Sequence, residues 1–362
     1  MIKVYENENY FKDKTGEGLY DVYNKYHPQI LSDFGEELET YWGRKWKANS
    51  KIGKLRSVLL HRPGKEFLSV GKPTPWPPHD SSLGAWRMSE LPNLDELIEH
   101  HEKLVKAYKD EGIEVVIRKP DPNNPPYQVK SIYTADVCFP AVYGMVLLRM
   151  VDYIRKGEEV PTYQTLAEIG CPVVGMILGN GMVEGGPIIW LDEKHVVVSI
   201  HTIRANTSQP EIWRANEFGH EQYARIVKLQ DPEVDVRVDP GYGYREGIGR
   251  MIDRHTSCMD PKLLSPRFVD YLKSEMNWEF IIPPAEICEI RMGEYRGADI
   301  GICLEPMKIL RPTGDPKATK WFESIGVEVV EVDVGPLTRP RGSGGMKCTY
   351  VELIRDPEPK SY

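Results

Sequence analysis

The chain has 362 residues, 41% of them hydrophobic and 28% charged, a length and balance that suit one large core or two domains. Its formal net charge is −8, with Lys and Arg scattered rather than clustered, which excludes the basic footprint of a nucleic-acid or anionic-membrane binder and leaves a small molecule as the expected partner. The six cysteines (Cys138, Cys171, Cys258, Cys288, Cys303 and Cys348) contain no CxxC pair, so neither a metal site nor a disulfide scaffold is expected.

Met1-Ile-Lys-Val-Tyr-Glu-Asn-Glu8 lacks the apolar core of a signal peptide, and no run approaches the roughly 18 apolar residues of a membrane helix. A cytoplasmic location without a membrane partner is therefore the expectation, and self-association into a homo-oligomer stays open. Residues 1–50 are polar and aromatic, with Tyr10, Phe11, Tyr20, Tyr23, Tyr26, Trp42 and Trp46 at irregular spacing. They read as an N-terminal extension on a body of residues 51–362.

Along that body, Leu55 to His61 is strand-like, and Leu94, Leu97, Ile98, Leu104 and Tyr108 form a helical stripe ahead of the strand Glu114-Val-Val-Ile117. Ser89-Glu-Leu-Pro-Asn-Leu-Asp95 supplies polar caps for that helix. Next come a strand from Val142 to Leu148, a short helix from Tyr163 to Ile169 and a strand from Cys171 to Leu178. Pro187 to Leu191 and Val196 to Ile200 are strands about Asp192-Glu-Lys194, followed by a helix from Glu211 to about Val227 and a strand from Val234 to Val238. A weaker unit has a helix near Arg267 to Ser274 and the strand Glu279-Phe-Ile-Ile282. The last has strands at Ile300 to Leu304 and Met307 to Leu310, a helix near Ala318 to Ile325, a strand at Val327 to Val334 and a final strand carrying Cys348. Strand pairs, one helix and another strand recur about every 55 to 65 residues, which predicts one α/β domain of repeated ββαβ units.

Several segments carry chemistry. Arg341-Gly-Ser-Gly-Gly-Met-Lys-Cys348 is a glycine-rich approach to a single cysteine. Glycines leave room beside the backbone, so the Cys348 thiol is a candidate nucleophile in a ligand pocket, against the plainer reading of an ordinary loop cysteine. Glu184, in Asn180-Gly-Met-Val-Glu-Gly-Gly-Pro187, is an acid flanked by glycines directly before a strand. Asp136, in Tyr133-Thr-Ala-Asp-Val-Cys-Phe139, enters an apolar segment where a carboxylate needs a cation or donors. A guanidinium or ammonium substrate would serve. Arg149 and Arg204 follow strands and can clamp a carboxylate through paired hydrogen bonds, or simply end those strands in water. A cysteine mechanism also needs a proton shuttle. His255, in Asp253-Arg-His-Thr-Ser-Cys258, is the candidate, whereas His61 reads as structural and His100, His101 and His220 read as solvated helix-face residues.

Leu59-Leu-His-Arg-Pro-Gly-Lys-Glu66, Asp136-Val-Cys-Phe139, Leu148-Arg-Met150, Val183-Glu-Gly-Gly186, Arg204-Ala-Asn206 and Gly344-Gly-Met-Lys-Cys348 stand in the order found in the guanidine-modifying superfamily, which the chain resembles from about Trp42 to Arg355. That superfamily contains arginine deiminases, dimethylarginine hydrolases and arginine amidinotransferases. The resemblance implies a single-domain, fivefold pseudo-symmetric α/β propeller, the pentein fold. It also implies a hydrolase of a guanidino or other linear amidine substrate acting through a covalent thiouronium intermediate, with no cofactor. On matching positions Cys348 would be the nucleophile, His255 the proton shuttle, Glu184 its orienter or a guanidinium ligand, and Asp136 a guanidinium ligand. Arg149 and Arg204 would surround a substrate carboxylate.

Two departures stand out. Pro187 follows the glycines where relatives carry Asp, and Thr256-Ser257 follows His255 where they carry His-x-Asp. A second register, aligning Met251-Ile-Asp253 with His-x-Asp, keeps the acid and loses the histidine. An amidinotransferase, in which an amine reaches the adduct before water does, is the alternative function. A non-catalytic pentein acting as an interaction module is the second.

Overall fold

The structure is a computed structural model and describes residues 33–69, 93–120, 128–151, 153–203, 211–239, 250–291, 294–298, 300–338 and 344–359. The first described element is α1 (Phe34–Trp42), opened by Asp33, whose Oδ1 accepts the Gly35 N–H at 2.8 Å. Behind it Trp46 is buried with Leu38 against Leu59, Leu147 and Val351. Part of the expected extension thus packs into the core of the body.

The strands and helices follow a repeated pattern. β1 (Leu55–Leu60) leads into α2 (Leu94–Asp110) and β2 (Glu114–Ile117), parallel to β1. β3 (Cys138–Pro140) and β4 (Met145–Leu147) are antiparallel, and after α3 (Glu159–Glu168) the strand β5 (Val173–Met176) runs parallel to β4. β6 (Ile188–Asp192) and β7 (His195–Ser199) repeat this, with a hairpin of β8 (His201–Ile203) and β9 (Glu211–Trp213) inserted before α4 (Glu217–Gln230) and β10 (Asp235–Asp239). The fourth unit is β11 (Met251–Asp253), β12 (Thr256–Ser257), α5 (Pro266–Ser274) and β13 (Glu279–Phe280). After the hairpin β14 (Cys288–Arg291) and β15 (Glu294–Ala298), the fifth is β16 (Ile302–Glu305), β17 (Lys308–Pro312), α6 (Pro316–Ser324) and β18 (Glu328–Val332). Finally β19 (Tyr350–Arg355) returns antiparallel to β1, so the first sheet draws on both ends of the described chain. The result is a mixed α/β fold in which the described residues form five three-stranded sheets, each an antiparallel pair extended by a parallel strand.

Local chemistry explains these elements. β6 is buried at all five positions, as a strand covered on both faces must be. Asn93 caps α2 by accepting the Asp95 and Glu96 N–H groups, and the helix buries Leu97, Leu104 and Tyr108. The helix expected from Glu211 begins instead at Glu217: Glu211–Trp213 is strand, and Asn216 starts α4 by accepting the Gly219 N–H at 2.9 Å. The expected solvated histidines of α2 are also corrected, since His100 and His101 are both buried. Among the described residues no helix is long and apolar enough to cross a membrane.

His61, just past β1, is structural. Its Nδ1 accepts from Arg118 Nε at 3.4 Å and its Nε2 lies 3.0 Å from Glu66 Oε1, which fits a neutral ring donating to the carboxylate. Burial, and then the Arg118 charge, push its pKa from 6.5 to about 4. Between those values the unfolded chain binds a proton that the folded chain refuses. The stability this contributes is complete above pH 6.5 and falls as the pH drops towards 4, a loss of roughly 3 kcal/mol. Glu66, held below its ordinary range against the opposing effect of burial by the His61 contact, acts in the same direction. Urea unfolding at pH 7 and at pH 4 is expected to show that loss in the wild-type chain and a smaller one in His61→Asn; equal slopes would contradict the assignment.

Candidate active site

Cys348 does not lie in the strand expected for it. It sits in a turn of 3₁₀ helix, Met346–Thr349, immediately before β19. Its N–H donates to Gly345 O at 3.0 Å, and the Thr349 hydroxyl closes the turn on Met346 O at 2.7 Å. The buried Thr134 hydroxyl lies 3.1 Å from both Leu59 O and Thr349 O, tying this turn to β1. Gly344 is glycine for a steric reason, because a Cβ there would meet the Tyr133 ring at 2.5 Å.

A second short turn, Thr134–Asp136, carries Asp136. The glycines after Glu184 fold onto it: Gly185 N–H donates to Asp136 O and Gly186 N–H to Asp136 Oδ1, both at 3.1 Å. A Cβ at Gly185 would lie 1.8 Å from Ala135 O, so no larger residue permits that approach. One cavity is lined by Asp136, Gly185, Gly186 and Cys348, together with the cations Lys51, Arg250 and Lys347 and the acid Glu352.

Asp136 is buried between two arginines. Arg155 donates from Nη1 to Oδ2 at 2.6 Å, and Arg214 donates from Nη2 to Oδ1. Burial pushes the Asp136 carboxyl up, but Arg214 and Arg155 more than offset it and hold it below the ordinary range. Arg155 also grips Glu158 through Nε at 3.0 Å and Nη2 at 2.9 Å. Glu184 joins the same network: its Oε2 accepts from Arg214 Nε at 2.5 Å and its Oε1 from the Val151 N–H at 3.0 Å. Arg214 therefore forks between Asp136 and Glu184. Burial opposes its charge, yet the two acids and the nearby Cys348 sulfur raise its pKa overall.

The other expected residues lie elsewhere. His255 is not among the residues that line this cavity. It occupies the turn between β11 and β12 at φ 61°, its ring stacked on Trp278 and its Nε2 3.2 Å from Asp192 Oδ2. Met251 stands on the cavity wall. Arg149 is half-buried beside Glu184: its backbone bridges Val183 and its Nη1 donates to Gly181 O at 3.4 Å. Arg204 lies outside the described residues. The sequence motifs did not disclose Lys51, Arg155 or Arg214, although Arg-Ala-Asn occurs twice, at 204–206 and at 214–216.

Cysteine environments separate Cys348 from the rest. Burial pushes the Cys138, Cys258 and Cys303 thiols up to about 12 and raises Cys171 as well. Thiols held so far above neutrality are poor nucleophiles. Cys288 is half-buried and donates to the Pro284 carbonyl at 3.3 Å. Cys348 is half-buried, on the cavity and beside a guanidinium. Among the described residues no three His, Cys, Asp or Glu side chains are grouped to hold a metal ion.

No protein-family model matches the chain. An arginine deiminase of Staphylococcus epidermidis is 43% identical over 70 residues, which is 19% of this chain and 15% of that protein. The chain thus matches only a small part of the length of such curated relatives. Among solved structures, a dimethylarginine dimethylaminohydrolase from Pseudomonas aeruginosa, complexed with citrulline, is 16% identical with a TM-score of 0.55, covering 82% of this chain and 99% of its own. SxtG, an amidinotransferase from Microseira wollei, is 12% identical with a TM-score of 0.56, covering 88% of this chain and 99% of its own.

Proposed function

We propose that this chain, whose fold is that of the guanidine-modifying pentein superfamily, is a cysteine-dependent hydrolase that cleaves a C–N bond of a guanidino or other linear amidine compound. One observation carries the proposal. Asp136 lines the cavity with Cys348, and the chain's own Arg214 guanidinium is held between Asp136 and Glu184, which stands just behind the cavity lining. Geometry that fits one guanidinium fits another.

In this reading the Cys348 thiolate attacks the amidine carbon and forms a C–S bond, collapse of the tetrahedral adduct breaks the C–N bond, and the amine departs with a proton. Water then adds to the thiouronium carbon and the thiolate leaves, releasing a urea-type product. His255 stands beside Asp192 and off the cavity lining, and we assign the proton to another group. Lys51 is our assignment. It lines the cavity, its Nζ lies 2.7 Å from Glu352 Oε1, and burial lowers its pKa despite that partner, which makes its ammonium a better acid near neutrality. Two architectural proposals accompany this one: the five sheets are the blades of a pseudo-fivefold propeller, and residues 51–362 form the catalytic domain, with residues 1–50 as an extension.

Mass spectrometry of the full chain with a panel of guanidino compounds tests the function. Amine release is expected without any added acceptor, with turnover about 10²-fold lower in Lys51→Met and little changed in His255→Ala. Turnover that requires an added amine would contradict hydrolysis and assign amidino transfer. No turnover with any member of the panel, with or without acceptor, would favour an interaction module.

A further inference from the structure

The acid pair is engaged by the protein itself. Asp136 directs Oδ2 to Arg155, while its Oδ1 meets Arg214 and the Gly186 N–H. Glu184 directs Oε1 to the Val151 N–H and Oε2 to Arg214. Arg214 thus holds Asp136 Oδ1 and Glu184 Oε2, while Arg155 and the Val151 N–H anchor the other two oxygens. Withdrawing Arg214 would leave an anchored pair of acceptors spaced for a guanidinium. An incoming guanidinium would replace one buried cation by another, so the charge balance of the network would be kept.

Two further features mark Arg214 as a built occupant. Its backbone is in the left-handed region, φ 66°, which non-glycine side chains adopt at a cost and which the ion pairs must hold. Room for its fork comes from Gly186, where a Cβ would lie 2.5 Å from Arg214 Nη1 and 2.7 Å from Cζ. We infer that Arg214 is the specificity-determining residue of this site, a resident guanidinium that a substrate guanidinium must displace from Asp136 and Glu184. Compounds with a point-charge ammonium are poor competitors, because they cannot bridge both acids.

The inference rests on the guanidino assignment above, so its test reads binding rather than turnover. Arg214→Gly removes the fork and suits the left-handed backbone. Methylguanidinium is expected to raise the melting temperature of the full-length variant by about 4 °C or more, and that of the wild-type chain by less than about 1 °C. Methylammonium at the same concentration is expected to do neither, and adding Asp136→Asn is expected to abolish the shift. Gly186→Ala, whose Cβ would fill the space of any guanidinium held there, is expected to abolish the response when it is added to Arg214→Gly. Equal shifts in wild type and Arg214→Gly, or none in Arg214→Gly, would overturn the inference. Turnover of guanidino compounds by the wild-type chain, measured separately, decides the functional proposal in either event.

Discussion

Cys348→Ser is expected to lower turnover by on the order of 10⁴-fold or more while leaving the unfolding transition of the protein unchanged. A serine hydroxyl is a far weaker nucleophile than a thiolate unless a base deprotonates it. The turn that presents residue 348 is held by backbone and Thr349 hydroxyl bonds, and neither involves the sulfur. The substitution therefore changes the chemistry and keeps both of those bonds. A variant retaining more than about one tenth of wild-type turnover would place the nucleophile elsewhere.

The second large effect concerns stability. Arg155 is buried and makes four hydrogen bonds: one to Asp136, two to Glu158 and one to Tyr133 O at 2.7 Å. Arg155→Met would leave Glu158, which is fully buried, facing Arg118 at 3.8 Å as its remaining ion-pair partner. It would leave Asp136 with Arg214 alone among its cations. Removing one member of such a buried network costs about 3–5 kcal/mol, because the surviving charge is stranded. Urea unfolding should show that loss, and adding Glu158→Gln should restore a good part of it. A loss below about 1 kcal/mol would mean that the network contributes little, and that Asp136 does not depend on it for its position.

Much of the fold was legible because β-branched runs and helical stripes report burial directly. Val196 to Ser199 is buried throughout and falls on a strand, whereas Val329 to Val332 falls on a strand of which only Val332 is buried. Apolar spacing runs through Trp213, but Asn216, among the strongest caps, starts the helix instead of Glu211. His100 and His101 sit on the same helix as the apolar stripe, and their burial depends on what packs over α2, which no local pattern records.

At the site, Cys348 and Asp136 were readable because glycines and an acid in an apolar run are locally unusual. They do line one cavity. Arg214 escaped the sequence motifs because Arg-Ala-Asn has a twin at Arg204, and only tertiary structure shows that Arg214 reaches the acids. Lys51 was missed because a lone lysine before a strand is ordinarily solvated; what distinguishes it is burial against Glu352 and Phe139, contacts made across more than eighty residues of sequence in the nearer case. The polar setting of His255 in the sequence is that of the β11–β12 hairpin turn, where the ring meets Asp192.

The most direct test of the central claim is alkylation of the full chain with chloroacetamidine at neutral pH, followed by peptide mass mapping. The account predicts one adduct, on the peptide containing Cys348, absent in Cys348→Ser and formed faster than with the uncharged chloroacetamide once Arg214→Gly has opened the acid pair. An unmodified Cys348, or labelling spread over the other cysteines, would contradict it.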